Sequence, residues 1–147
     1  MRLSFTKKEE SQIYKMLQQV TLFSGLERKQ ITSFADSFFE RDFEAGETIE
    51  EEGDSGITFY LIVDGSVEVR RGKKLLTKLG RGQWFGEMAL IEKAPRSATV
   101  IAMGPTKCLA MTSWNFKAAL ETNPKLALGV MKELARRLRE TDKAFSE

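Results

Sequence analysis

The chain has 147 residues, 41% of them hydrophobic, which is one ordinary domain with enough apolar mass for a single core. Its 23 basic and 21 acidic residues nearly cancel, so bulk charge gives no reason to expect nucleic acid. There is no histidine and only one cysteine, Cys108, which excludes Ser-His-Asp and Cys-His catalysis, His-ligated metal sites and an internal disulfide. No apolar run is long enough for a membrane span and the N-terminus lacks a signal pattern, so the expected location is cytoplasmic.

Residues 9–20 place Ile13, Met16, Leu17 and Val20 on one helical stripe, and Gly25 breaks the pattern. A second helix is expected from about Glu27 to Phe38, with Ile31, Phe34, Ala35 and Phe38 inward. Residues 1–20 thus form an N-terminal helical segment ahead of a domain covering 21–147. From Phe39 the period changes. Residues 40–54 are crowded with acids that lack metal-loop spacing, and they read as a solvated hairpin and loop.

Ile57 to Val63 is β-branched and aromatic, a buried strand. Asp64-Gly65 reads as the turn of a tight hairpin into a half-buried strand carrying Val67 and Val69. Arg71 to Lys74 is the next turn, and Leu75, Leu76 and Leu79 return from it. Ala98–Met103 and Lys107–Met111 are two more strands, split at Gly104-Pro105. Many short strands with close turn signals predict an antiparallel β-roll, or jelly-roll barrel. Thr112-Ser113 offers an N-cap for a helix through Leu120, and Pro124 opens a longer helix. Ala127, Val130, Met131, Leu134 and Leu138 form its apolar stripe. The expected class is α+β, a β-roll between N-terminal helices and C-terminal lid helices.

The stretch with chemistry is Phe85-Gly86-Glu87-Met88-Ala89-Leu90-Ile91, followed by Ala94-Pro95-Arg96-Ser97-Ala98-Thr99-Val100. A glycine admits close backbone approach to a ligand. A short helix from Glu87 would aim free N–H groups at an anion. Arg96 forks onto two anionic oxygens, and Ser97 donates one more hydrogen bond. Glu87 repels a bare anion, so it needs a donor on the ligand. A phosphate with a neighbouring sugar hydroxyl supplies both.

These residues, in this order and spacing, resemble the phosphate-binding cassette of the cyclic nucleotide-binding domain. That module is shared by the catabolite activator protein, the regulatory subunits of cyclic-AMP-dependent kinase and cyclic-nucleotide-gated channels. The likeness extends to Leu22–Leu26, the Gly46-Glu47 corner and the Tyr60–Gly65 segment, and spans about residues 20–140. The resemblance implies a role for each cassette residue. Glu87 accepts from the ribose 2′-hydroxyl and Gly86 makes room for the ribose. Arg96 pairs with the cyclic phosphate, backbone N–H groups around Met88 and Ala89 cap it, and Ser97, beside Ala98, adds a contact. By position, Arg137 resembles the arginine that bacterial channel-type domains place over the base.

The ligand so implied is cyclic AMP or cyclic GMP, with cyclic AMP favoured, and no cofactor or metal is expected. The implied role is a sensor whose C-terminal helix moves to bias an unidentified effector protein or a homodimer formed through that helix. The alternative is a ligand-free structural or interaction module of the same fold. An enzyme such as a phosphodiesterase is not expected, because Glu87 is the motif's only acid and its expected partner is the ribose. Because the chain stops at Glu147, no DNA-binding domain is expected after the last helix.

Overall fold

The computed structural model describes residues 7–146 except for Ser24, Ile57 and the stretch 87–94, with side chains described over 12–141 of that span. Helix α1 (Lys7–Gln18), a 3₁₀ turn (Thr21–Phe23) and helix α2 (Arg28–Ala35) precede the strands. Both helices stop short of the ends that the apolar stripes suggest. The chain tightens to i→i−3 bonding there: Gln19 and Val20 donate to Met16 and Leu17, and Ser37 and Phe38 donate to Phe34 and Ala35.

Eight strands follow: β1 (Phe39–Phe43), β2 (Thr48–Glu50), β3 (Thr58–Asp64), β4 (Ser66–Arg71), β5 (Lys74–Gly80), β6 (Trp84–Phe85), β7 (Thr99–Ala102) and β8 (Thr106–Thr112). They form two four-stranded antiparallel sheets, ordered β1-β8-β3-β6 and β2-β7-β4-β5. Helices α3 (Ser113–Thr122) and α4 (Pro124–Ser146) close the chain. This is the β-roll between helices that the strand pattern predicts. Thr112 caps α3 by accepting from the Asn115 N–H at 3.4 Å, and Pro124 takes the first position of α4, where its missing N–H costs nothing.

The centre of the first sheet, β3 and β8, is buried on both faces, which explains the continuous apolar run in β3. Phe59, Leu61, Leu109 and Met111 face the helices and join Ile13, Leu17, Phe34, Phe116 and Val130 in one core. Tyr60, Ile62, Cys108 and Ala110 alternate with them and face the second sheet, meeting Val67, Leu79, Val100 and Ala102 in another. Phe59 stacks on Phe116 at 4.4 Å, so β3 and α3 share an aromatic contact.

One turn differs from its sequence reading. Asp64-Gly65 does not join two strands of a hairpin: β3 pairs with β8 and β6, whereas β4 pairs with β5 and β7. The chain changes sheets at this corner, and it changes back between β7 and β8. The two corners are bonded together, because Ser66 O accepts from Met103 N at 3.0 Å and from Thr106 Oγ1 at 3.1 Å. Gly65 has φ +89°, and a Cβ there would lie 2.5 Å from Pro105 O. The hairpin that the sequence does show is β4–β5, with Arg71 opposite Lys74.

The apolar stripe of α4 is divided by the fold. Val130 is buried and Leu134 packs on the helix-side core, together with Leu126. Met131 and Leu138 point outward with Leu128, at 58%, 63% and 47% exposure.

Gly65 and Gly46 separate two costs of replacing a glycine. Gly46 has φ +83° with nothing within 4 Å of a built Cβ. Gly46→Ala is expected to cost about 1–2 kcal/mol from backbone strain alone. Gly65→Ala carries that strain plus the clash at the sheet corner, and is expected to cost about 3 kcal/mol or more. Urea denaturation of the two variants checks the difference.

Candidate functional site

Where the second sheet meets the cassette, strand β2 is irregular. Thr48 lies opposite Ile101, but Glu50 rather than Ile49 lies opposite Val100. Two residues of β2 thus face one step of β7, which is a β-bulge. Directly opposed residues share a face, and Val100 is buried between the sheets. The bulge therefore turns Glu50 inward, where strict alternation would have sent it to solvent.

The chain then loops through 51–56 and is bonded to the segment carrying Arg96. Gly53 N donates to Arg96 O at 2.9 Å, and Arg96 N donates to Asp54 O at 2.8 Å. Arg71 Nε donates to Ser97 O at 3.2 Å from the neighbouring hairpin. These bonds send the Arg96 side chain inward through the space a side chain at Gly56 would fill. A Cβ there would lie 1.7 Å from Arg96 Nε.

Arg96 ends on two carbonyl acceptors and one carboxylate, with which it forms an ion pair. Nη1 donates to Gly86 O at 2.7 Å, Nη2 donates to Thr58 O at 2.7 Å, and Nη2 lies 2.8 Å from Glu50 Oε1. The Arg96 and Glu50 side chains are 5% and 7% exposed. An unpaired guanidinium at this depth would be strongly unfavourable; a carboxylate and two carbonyl dipoles make it tolerable. Gly86 closes over the group with φ +93°. A Cβ there would sit 2.7 Å from Thr58 O, 2.9 Å from Glu50 Oε1 and 3.0 Å from Arg96 Nη1. Beside them lies Tyr60, stacked on Phe85 at 5.0 Å. Burial pushes its phenol above the usual 10.0; the Arg41 charge opposes that, and the Glu50 charge reinforces it.

The structure thus brings Gly86 and Arg96 together. Glu87, Met88 and Ala89 lie outside the described residues. Ser97 is exposed and Ala98 half-buried, next to Arg96 in the chain. Arg137 stands elsewhere, on the helix side of the first sheet. Its guanidinium lies 4.4 Å from the centre of the Trp84 ring and donates from Nη2 to Trp84 O at 2.7 Å. Its Nε donates to Glu133 at 3.1 Å. A groove of about 990 Å³ opens nearby between the 3₁₀ turn, the β5–β6 turn and α4, lined by Leu22, Gly82, Trp84, Leu128, Glu133 and Arg136 among others; Arg96 is not in its wall.

Sequence reasoning missed Glu50 and Gly56. Glu50 sits within a run of acids that reads as solvated, and a bulge leaves no composition signal. Gly56 reads as a loop residue, although its role is to leave room for Arg96. Trp84 shows only as an apolar residue before the cassette, yet it is the surface on which Arg137 lies.

The Glu133 carboxyl is held below its ordinary 4.5, chiefly by the hydrogen bond from Arg136 and also by Arg137, against a smaller opposing effect of burial. A lowered carboxyl stabilises the folded helix above the unfolded value, and that contribution is lost as pH falls through the folded one. Trp114 is 61% exposed, so Trp114→Phe leaves Trp84 as the single tryptophan reporter. In that background Trp84 emission is expected to shift as pH falls below about 4.5, while far-ultraviolet dichroism still reports a folded chain. Adding Glu133→Gln should remove the shift, measured by fluorescence titration.

Comparison with known proteins fits this geometry. Residues 40–123, more than half of the chain, match the family described as "Cyclic nucleotide-binding domain". The chain is 41% identical over 96 residues to a cAMP-dependent protein kinase regulatory subunit of Mycosarcoma maydis, covering 63% of this chain and 18% of that protein. It is 34% identical over 126 residues to a Cyclic AMP receptor protein of Thermus thermophilus, covering 82% of this chain and 58% of that protein. It therefore spans less than two thirds of the length of these relatives. The regulatory subunit of a cAMP-independent protein kinase A from Trypanosoma brucei shares the fold, with a TM-score of 0.80 at 21% identity over 93% of this chain and 50% of that one. By the family match over more than half of its length, this chain belongs to the cyclic nucleotide-binding domain family, a non-catalytic family.

Proposed function

We propose that the domain binds a cyclic nucleotide, cyclic AMP in preference to cyclic GMP, and reports its occupancy through α4. The observation that carries this reading is Arg96: a guanidinium at 5% exposure, with Gly56 clearing its path and Gly86 closing over it. The cassette order around this arginine, Phe85-Gly86-Glu87 and then Pro95-Arg96-Ser97, is what favours a phosphate receptor over a purely structural ion pair. In this reading Arg96 takes the cyclic phosphate and backbone N–H groups near Met88 and Ala89 cap it. Glu87 accepts from the ribose hydroxyl, Gly86 admits the ribose, and Ser97 and Ala98 line the same edge. The preference for cyclic AMP rests on the Arg96-Ser97-Ala98 pattern and on the names of the two relatives above, a cAMP-dependent kinase subunit and a cyclic AMP receptor.

The same reading gives the signal a route. Arg96 holds the carbonyl of Gly86 and Arg137 holds the carbonyl of Trp84, so one three-residue segment answers to both arginines. A ligand that draws Arg96 away changes what Gly86 is bonded to, and the Trp84–Arg137 contact carries the change to α4. A helix shift follows only from differential affinity for its two positions. Arg137 then reaches the base by leaving Trp84. The outward Leu128, Met131 and Leu138, spaced three and seven residues apart, offer the face for an effector protein or a second copy. Among the described residues no helix is long and apolar enough to cross a membrane. A cytoplasmic location fits that and the single unpaired cysteine.

One observation favours the alternative of a ligand-free module. Arg96 already has a carboxylate and two carbonyls, so the folded chain does not require a ligand to satisfy it.

Calorimetry with cyclic AMP and cyclic GMP decides between the two. The sensor reading expects binding of both, tighter for cyclic AMP, and a loss of about 2–4 kcal/mol in Arg96→Ala. Circular dichroism of that variant shows whether the fold survives loss of the pair. No binding of either nucleotide at millimolar concentration leaves the module reading standing.

A further inference from the structure

We infer that Glu50 is a resident counter-ion for Arg96, which an anionic ligand must displace, and that it sets how tightly this domain holds a phosphate. The inference rests on the cyclic nucleotide reading and adds to it a residue outside the cassette. Among the described residues, the Arg96 guanidinium donates to the carbonyls of Thr58 and Gly86 and forms an ion pair with the carboxylate of Glu50. The two carbonyls belong to the backbone and come with the fold. The carboxylate is a side-chain choice, and it is delivered by a specific distortion, the bulge that moves Glu50 opposite Val100.

The chemistry of the pair is that of a competition. A carboxylate and a phosphate oxygen offer the guanidinium the same kind of charge-assisted bond. Both cannot sit on Arg96 Nη2 in the arrangement seen, because Glu50 Oε1 is there at 2.8 Å and Thr58 O takes a further bond at 2.7 Å. An incoming phosphate also meets the negative charge of a side chain that is 7% exposed and poorly screened. Glu50 thus has two effects of opposite value. It keeps the empty domain folded by neutralising a buried cation, and it weakens binding by holding the group the ligand needs.

The test is calorimetry of the full chain with cyclic AMP, comparing wild type with Glu50→Gln, Glu50→Asp and Glu47→Gln. Glutamine keeps the shape and an acceptor but removes the charge, so affinity should rise about tenfold or more. The empty Glu50→Gln chain should melt at a lower temperature than wild type, because Arg96 has lost its counter-ion. Glu50→Asp keeps a counter-ion and therefore the fold, but withdraws it by one methylene, so its affinity should fall between the two. Glu47 is exposed on the same edge, and Glu47→Gln should leave affinity unchanged. Binding by Glu50→Gln where wild type fails to bind also supports the inference. Wild-type affinity or weaker in both Glu50 variants overturns it while leaving the cyclic nucleotide reading intact. No binding of cyclic AMP or cyclic GMP by any of the four chains overturns both.

Discussion

The buried cation of Arg96 organises the cassette end of this domain. Arg96 carries a charge that cannot be given up and has almost no contact with water, so every group around it answers to that constraint. Gly56 is small because the guanidinium passes there. Gly86 is left-handed and without a side chain because its carbonyl must come down onto Nη1. Residues 53–54 clamp the backbone of Arg96 so that the side chain has only one direction to go. The bulge in β2 is the remaining adjustment, since a regular strand would have left the cation without its carboxylate.

The second organising contact lies on β6. Trp84 and Phe85 are adjacent and point to different cores, one toward the helices and one between the sheets. Phe85 stacks on Tyr60 beside the Arg96 pair, while Trp84 is covered by Arg137. A two-residue strand is thereby placed between the Arg96 cluster and α4. The apolar surface of α4 is split in keeping with this. Val130 and Leu134 anchor the helix to the core, and the outward stripe is left to other surfaces.

Much of this was legible in the sequence. The antiparallel β-roll follows from short β-branched runs and turn residues, and the cap at Thr112 and the helix start at Pro124 follow from local chemistry. The cassette pointed to Arg96 and Gly86, and the structure does bring them together. What was not legible depends on pairing between distant strands. Asp64-Gly65 looks like a hairpin turn because local sequence shows that a turn is needed, not which sheet the next strand joins. Glu50 looks solvated because its neighbours are acids and because alternation puts it outside. Its inward position is fixed by its register against Val100, a third of the chain away. Arg137 was distinguished from Arg136 and Arg139 only by resemblance; the structure adds its contact with Trp84.

The long-range pairing that hid these features also bears on how the chain reaches its fold. The first sheet joins β3 to β8, and β1 to β8, across all the intervening strands of the second sheet. Helices α1, α2, α3 and α4 pack largely on that sheet's outer face, so their apolar stripes have little to cover until β8 arrives. Loop closure over such distances must be met before those contacts reward it, which slows folding relative to a chain of local contacts. During synthesis, the N-terminal helices and β3 emerge with their apolar faces uncovered and wait for the strand that completes the sheet. The exposure of that surface, rather than the stability of the finished roll, is then what a cell must manage while the protein is made.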